Sequence, residues 1–397
     1  MGWHSSPLAF FGSENPQKLA RAVPDTSWLL SATLSLLAAA CGCGDSVSNP
    51  PPQPSAKEAL YLSTGLSSGP ILTYIFDTGT GTVGIPTPIA GPTAGIDMKV
   101  YPGGNFLYVS DFDSGSVFAY SIDRSTGRLT TLAGSPFVFQ GHTSNGGPIA
   151  IDPAGKFLFS SNAVGAIVSF NINSQTGVLT PTTASAINDN NQPVYLLVDP
   201  TGKFLIASNQ ADSSGRNYSV FSIDSTSAVL FEVQGSPFTF GQDTKPQQIA
   251  LNSSGSVLYA ALSNSQQVNA LNFDSTTGRI TAIQGAPYPA QSLPSSIVLL
   301  PNGQFLYAGN GGAGSISQYS VNTSTGALTT SNVIQANNPV FLDVDSSGQF
   351  LLDISESSNM LSVYKIDSAT GVPTLLNNTN FPSGAGVRSA SFLVPLQ

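Results

Sequence analysis

The sequence is short of four things, and each shortage closes off a class of protein. Cysteine occurs only twice in 397 residues, at Cys41 and Cys43. The chain beyond residue 43 therefore has neither a disulfide nor a thiolate metal site, and its core must hold by packing alone. Histidine also occurs twice, as His4 and His142, too few imidazoles for a zinc triad. Charge is scarce: 9% of residues are charged, against about a quarter in an ordinary globular protein. Thirteen Lys and Arg against 22 Asp and Glu leave a net charge of −9 with no basic stripe, which argues against a nucleic-acid partner. Heptads, helical apolar stripes and long charge runs are missing too, so helix should be scarce.

Gly (39) and Pro (28), with Ser, Thr and Asn, fill the gap, while 41% of residues remain hydrophobic. That apolar share is too high for a disordered chain. It falls in short runs between turn residues, the composition of an all-β protein.

The N-terminal part reads as a targeting segment. Lys18 and Arg21 precede an apolar stretch from Trp28 to Ala40 that ends Leu37-Ala38-Ala39-Ala40-Cys41. A basic region, a short apolar core and small residues before a cut describe a secretory signal, and the stretch is short for a membrane-spanning helix. Cys41 after small residues resembles the lipobox of bacterial lipoproteins. Residues 1–40 are thus expected to be a leader, with Cys41 lipidated. Residues 41–58, which include Asn49-Pro50-Pro51-Pro52-Gln53-Pro54, are expected to be an extended tether. The expected location is the bacterial cell envelope, lipid-anchored, or outside the cell if cleavage is ordinary. Membrane contact is expected only through the anchor.

From residue 59 onward one motif recurs: an apolar strand, an Asp-Pro-x-Gly-like turn, then an aromatic-Leu-Tyr strand. It is seen in Ile151-Asp152-Pro153-Ala154-Gly155-Lys156-Phe157-Leu158-Phe159 and Val198-Asp199-Pro200-Thr201-Gly202-Lys203-Phe204-Leu205-Ile206. The marker Leu moves from Leu107 to Leu158, Leu205, Leu258, Leu306 and Leu351, in steps of 51, 47, 53, 48 and 45 residues. Pro fixes φ, the Asx side chain caps the turn, and Gly takes the conformation that closes the hairpin. An alternating strand, a third strand, a second turn such as Asp123-Arg124-Ser125-Thr126-Gly127 and a short fourth strand complete the unit. Four antiparallel strands per repeat of this length make one propeller blade.

Six copies leave two fragments. Ala59-Leu60-Tyr61-Leu62-Ser63 matches a second strand, and Ala390-Ser391-Phe392-Leu393-Val394-Pro395 matches only a first strand. If the C-terminal strand closes the first blade, residues 59–397 form a seven-bladed β-propeller without an exposed seam.

The turns, the Ser161-Asn162 and Ser208-Asn209 strand ends and the Asp-x-x-Thr-Gly turns resemble the seven-bladed lactonase family, which includes 6-phosphogluconolactonases and carboxymuconate-lactonizing enzymes. The resemblance implies a channel-mouth site where His-Pro-His-like residues and arginines enter the innermost strands. The matching entrances here read Gly147-Pro148, Gln192-Pro193, Lys245-Pro246, Leu293-Pro294 and Asn338-Pro339. The Pro persists and the His does not.

Candidate chemistry is sparse. His142, in the loop Gln140-Gly141-His142-Thr143, can serve as base or proton carrier near neutral pH, or can be a solvated loop residue. Arg388 enters the closing strand and can hold a carboxylate. Asp97 is the acid at an entrance and can pair with Arg388. Lys245, Gln192 and Asn338 are candidate ligand-binding residues. The Asn at strand ends (Asn162, Asn209, Asn264, Asn310) and Asp111 recur with the blades and read as turn caps. Gly309–Gly314 joins two strands without a helix, so it is no dinucleotide fingerprint, and no Gly-x-Ser-x-Gly elbow leads into a helix. No cofactor or metal is expected.

With the entrance histidines gone, the sequence favours a monomeric binding module. Its channel mouth would take a small anionic or sugar-like ligand, or a protein partner. The alternative is a 6-phosphogluconolactonase-like lactone hydrolase, in which Arg388 and Lys245 hold the substrate and His142 or Asp97 activates water. A purely structural envelope repeat is the third reading.

Overall fold

Six first turns close on the same bond. The carbonyls of Tyr101, Asp152, Asp199, Asn252, Leu300 and Asp345 accept the N–H of Gly104, Gly155, Gly202, Gly255, Gly303 and Gly348 at 2.7–2.9 Å. The Asx side chains then reach past the turn. Asp199 Oδ1 accepts the N–H of Phe204 at 2.7 Å, Asp345 Oδ1 that of Phe350 at 2.7 Å, and Asn252 Oδ1 that of Val257 at 3.0 Å. Each side chain thereby fixes the start of the strand that follows.

The computed structural model describes residues 56–397, apart from 65–68, 139–144, 163–164, 184–185, 189–190, 211–216, 242–243, 356–357 and 381–386. The leader, Cys41 and nearly all of the tether lie outside the described residues, as does His142. Among the described residues there are strands, turns and bends but no helix.

The strands form seven antiparallel sheets. Blades 2 to 7 run outward from the inner strands Gly95–Val100, Gly146–Ile151, Pro193–Val198, Pro246–Leu251, Pro294–Leu299 and Pro339–Val344. Blade 1 takes its inner strand, Val387–Pro395, from the far end of the chain; it pairs antiparallel with Lys57–Thr64, Leu62 facing Ala390 and Ala59 facing Val394. Each inner strand packs beside the next, and Val387–Pro395 packs beside both Gly95–Val100 and Pro339–Val344, so the ring is closed.

The core is seven clusters, one at each blade interface. At the seam, for instance, Leu60, Leu62 and Tyr74 of blade 1 meet Phe350, Leu352 and Ile354 of blade 7. This corrects the expected alternation of the second strands. Phe106–Asp111, Phe157–Asn162, Phe204–Asn209, Val257–Leu262, Phe305–Asn310 and Phe350–Ser355 are buried at every position, because each of their two faces packs against a different neighbouring blade.

Tyrosines staple the blades together. The buried hydroxyls of Tyr61, Tyr108, Tyr259 and Tyr307 donate to the carbonyls of Gly127, Gly177, Gly326 and Gly371 in the next blade, at 2.8, 2.8, 3.1 and 2.6 Å. Burial pushes all four phenols up, Tyr259 to about 12, so they stay protonated and able to donate.

Candidate functional site

At the channel mouth the inner strands begin in an unusual conformation. Asn145, Gln192, Lys245, Leu293 and Asn338 precede the inner strands of blades 3 to 7, and all have positive φ, from 46 to 59°. The region is costly for residues with a Cβ. What holds several of them is a backbone bond from the residue after the second strand. The carbonyls of Gln192, Lys245 and Leu293 accept the N–H of Gln210, Ser263 and Gly311 at 3.0, 3.1 and 3.0 Å. A register shift follows directly in blades 4 to 7. The x-Pro entrances thus have a mechanical reason. Proline suits the first strand position, where no ladder N–H is required.

The register corrects one entrance. In blade 3 the left-handed residue is Asn145, and Gly146 pairs with Asn162 as Pro193 pairs with Asn209. Gly147-Pro148 therefore lies further inside, because a glycine takes the first position and the proline sits two residues later. Asn264 is likewise displaced: Leu262 takes the strand-end place opposite Pro246.

A cavity of about 290 Å³ opens at this mouth. Ile96 and Asp97 of blade 2, Gly147 and Pro148 of blade 3, and Gln192, Tyr195 and Gln210 of blade 4 line it, with Phe341 of blade 7 as a further wall. Its lining includes three aromatic rings (Phe112, Tyr195 and Phe341), two primary amides and one carboxylate.

Asp97 is buried and engaged on both oxygens. Oδ2 accepts the backbone N–H of Ile149 in blade 3 at 2.9 Å, and Oδ1 accepts Lys99 Nζ at 2.6 Å. The first bond belongs to the ring, since Gln248 Oε1 accepts the N–H of Ile297 in the same way between blades 5 and 6. The second is particular to this site. Lys99 sits two residues on, on the same face of the strand, and its Nζ lies 4.8 Å from the centroid of the Tyr195 ring. Burial works against the ammonium, but Asp97 and Tyr195 together outweigh it and leave the Lys99 pKa raised. Lys99 therefore stays charged.

The residues singled out from sequence are placed as follows. Asp97 and Gln192 line the cavity, and the described partner of Asp97 is Lys99. Arg388 is described only by its strand position: Val387 pairs with Thr64 and Ser389 with Ser63, with a register shift between. That position matches Ile96 and Val194, both of which line the cavity. The segment 139–144 that carries His142 leads straight into Asn145 and the blade 3 wall. Lys245 and Asn338 stand at the entrances of blades 5 and 7, outside this lining. The recurrent strand-end residues are caps: Asp111 Oδ1 accepts the N–H of Ala94 at 2.7 Å and Asn162 Oδ1 that of Ala166 at 2.8 Å. Among the described residues no group of three or more His, Cys, Asp or Glu is placed to hold a metal.

Lys99 and Tyr195 escaped the sequence reading. The available signal was a lysine two residues after an acid inside an inner strand, where the other inner strands of blades 2 to 7 carry none.

Comparison with known proteins agrees with this architecture. The sequence profile described as "Lactonase, 7-bladed beta-propeller" matches residues 134–240 and 284–389, together more than half of the chain. A curated 6-phosphogluconolactonase of Pectobacterium carotovorum is 25% identical over 295 residues, covering 69% of this chain and 81% of that protein. One from Bacillus subtilis is 23% identical over 284 residues, covering 67% and 77%. Among solved structures, the Pseudomonas aeruginosa periplasmic gluconolactonase PpgL superposes with a TM-score of 0.72 at 17% identity, over 86% of this chain and 99% of that one. A Bacteroides fragilis protein described as a candidate 6-phosphogluconolactonase gives 0.69 at 21%, over 87% and 100%. Blade count, ring closure, turn chemistry and profile coincide, and the chain belongs to the lactonase family of seven-bladed β-propellers.

Proposed function

We propose that this propeller is a lactone hydrolase that opens the ring of a sugar lactone in the channel-mouth cavity. What supports this over a binding module is family membership, with curated relatives named as 6-phosphogluconolactonases. The observation that carries it on this chain is the cavity of about 290 Å³, close to the small end of ligand pockets and suited to one sugar ring.

The reaction asks little of a site. Water adds to the lactone carbonyl, the tetrahedral oxyanion collapses, the ring C–O bond breaks, and the ring oxygen takes up a proton to leave a hydroxy acid. Gln192 and Gln210 offer amide N–H donors for the carbonyl oxygen as charge builds on it. Tyr195 and Phe341 offer apolar faces for the ring. Asp97, with both oxygens bonded, is a poor proton acceptor until a partner lets go. His142, three residues before Asn145 in sequence, and Arg388, at the strand position that matches Ile96 and Val194, remain the candidates for water activation and anion binding.

The test is acid release from D-glucono-δ-lactone and its 6-phosphate, measured against the spontaneous rate. Acceleration is expected, with a loss of about 10-fold or more in kcat/KM for Gln192→Ala if that amide stabilises the oxyanion. Tight binding of gluconate with no acceleration of either lactone would instead establish the binding module.

A further inference from the structure

We propose that Lys99 is a positioning residue. Its ammonium, clamped by Asp97, sets the Tyr195 ring as the platform on which a sugar ring stacks, opposite the Phe341 wall. The substrate class rests on the lactonase reading above; the platform itself rests on three observations.

First, the contacts form one continuous strap across the blades that line the cavity. Asp97 of blade 2 bonds the blade 3 backbone at Ile149 through one oxygen and Lys99 through the other, and Lys99 lies against the blade 4 ring of Tyr195. Second, the ring does not need Lys99. In register, the matching positions of blades 3 to 6 are Ala150, Leu197, Ala250 and Val298, all apolar, and blade 7 has Asp343, so no other of blades 2 to 7 has a cation there. The inter-blade bond made by Asp97 is made between blades 5 and 6 by the neutral Gln248. Even half-burying an ammonium costs solvation, and in blades 3 to 6 nothing comparable is needed. Third, Tyr195 stands where Pro148, Gln248 and Ser296 stand in blades 3, 5 and 6, and it lines the cavity together with Phe341, its counterpart in blade 7. The Tyr195 and Phe341 faces, in a cavity of one-ring size, suit the C–H faces of a pyranose-type lactone, which stack on aromatic rings while the hydroxyls meet Gln192 and Gln210. A cation held against one face of Tyr195 fixes the tilt of the ring and leaves its other face to the ligand.

Lys99→Met alone would strand the Asp97 charge, so the informative variant is the neutral pair Asp97→Asn/Lys99→Met. Its asparagine oxygen can still accept the Ile149 N–H. KM for D-glucono-δ-lactone should rise about tenfold with kcat within about twofold, as expected when an interaction shared by ground and transition states is lost. Tyr195→Leu should give a similar rise, and combining it with the neutral pair should add little, because both remove one platform. Lys99→Arg, which keeps the cation, should stay near wild type. An unchanged KM in the neutral pair, or additive effects of the two changes, overturns the proposal. If wild type proves to have no lactonase activity, the readout becomes the gluconate Kd by calorimetry. A tenfold weakening in the neutral pair upholds the platform while the hydrolase reading falls; an unchanged Kd, or no binding by wild type, overturns the platform as well.

Discussion

Asp353 occupies a position that other blades fill with Ala207, Ala260 and Ala308. It is fully buried, and neither carboxyl oxygen has a hydrogen-bond partner among the described residues. Burial pushes its pKa from 3.8 to about 7. The folded protein therefore holds a proton that the unfolded chain has released. The stabilisation is complete below about pH 4, is lost as pH rises towards 7, and changes no further above that. Melting temperature should fall across this window, by the equivalent of roughly 2–4 kcal/mol. Asp353→Ala should make the profile shallower, leaving the slope set by Asp343 and Glu58, which burial also pushes up, and should be more stable than wild type at pH 8. A variant profile as steep as that of wild type would show that Asp353 contributes nothing to the slope. At this scale the sequence was least legible. Lys99 and Tyr195 stand 96 positions apart and meet only because blades 2 and 4 flank the same mouth, a relation that no local pattern carries.

Turns and strands were far more legible, because a turn is specified by four or five neighbouring residues. Asp199, Pro200 and Gly202 read as a hairpin and form one. The misreadings came where a property depends on the neighbouring blade. The second strands alternate in sequence, yet both faces are buried. In blade 3 the conspicuous proline drew attention to residue 148, while the first strand position belongs to Gly146. The glycines show how the two kinds of information combine. Gly155 and Gly303 have nearly the same φ, 67 and 71°, so local sequence treats them alike. A Cβ at Gly303 meets nothing within 4 Å, whereas one at Gly155 would lie 2.5 Å from the Tyr101 ring of blade 2. Gly303→Ala should cost about 1 kcal/mol, the left-handed backbone penalty alone. Gly155→Ala should cost roughly 2–4 kcal/mol, since Tyr101 must also move. Urea denaturation of the two variants checks the difference, and equal losses would mean that Tyr101 yields freely.

For the molecule as a whole, closure matters most. Two fragments at opposite ends of the domain, each incomplete by itself, predicted the seam correctly because the repeat arithmetic left no other place for either. Lys57–Thr64 is covered on its inner side only by Val387–Pro395. Ending the chain at residue 386 would bare the edge of a buried strand beside the core of the blade 1–blade 7 interface. Such a chain is expected to lose its cooperative thermal transition and to aggregate on size-exclusion chromatography. A monomer that melts like wild type would show that the other six blades suffice.

The same seam orders events during synthesis. Blades 2 to 7 are each continuous in sequence and can assemble one after another as the chain emerges. Blade 1 starts first and finishes last, because its innermost strand, Val387–Pro395, is made after all the strands of the other six blades. No chain stopped before Val387 can present a complete channel mouth, so translation halted there yields a ring that has never closed.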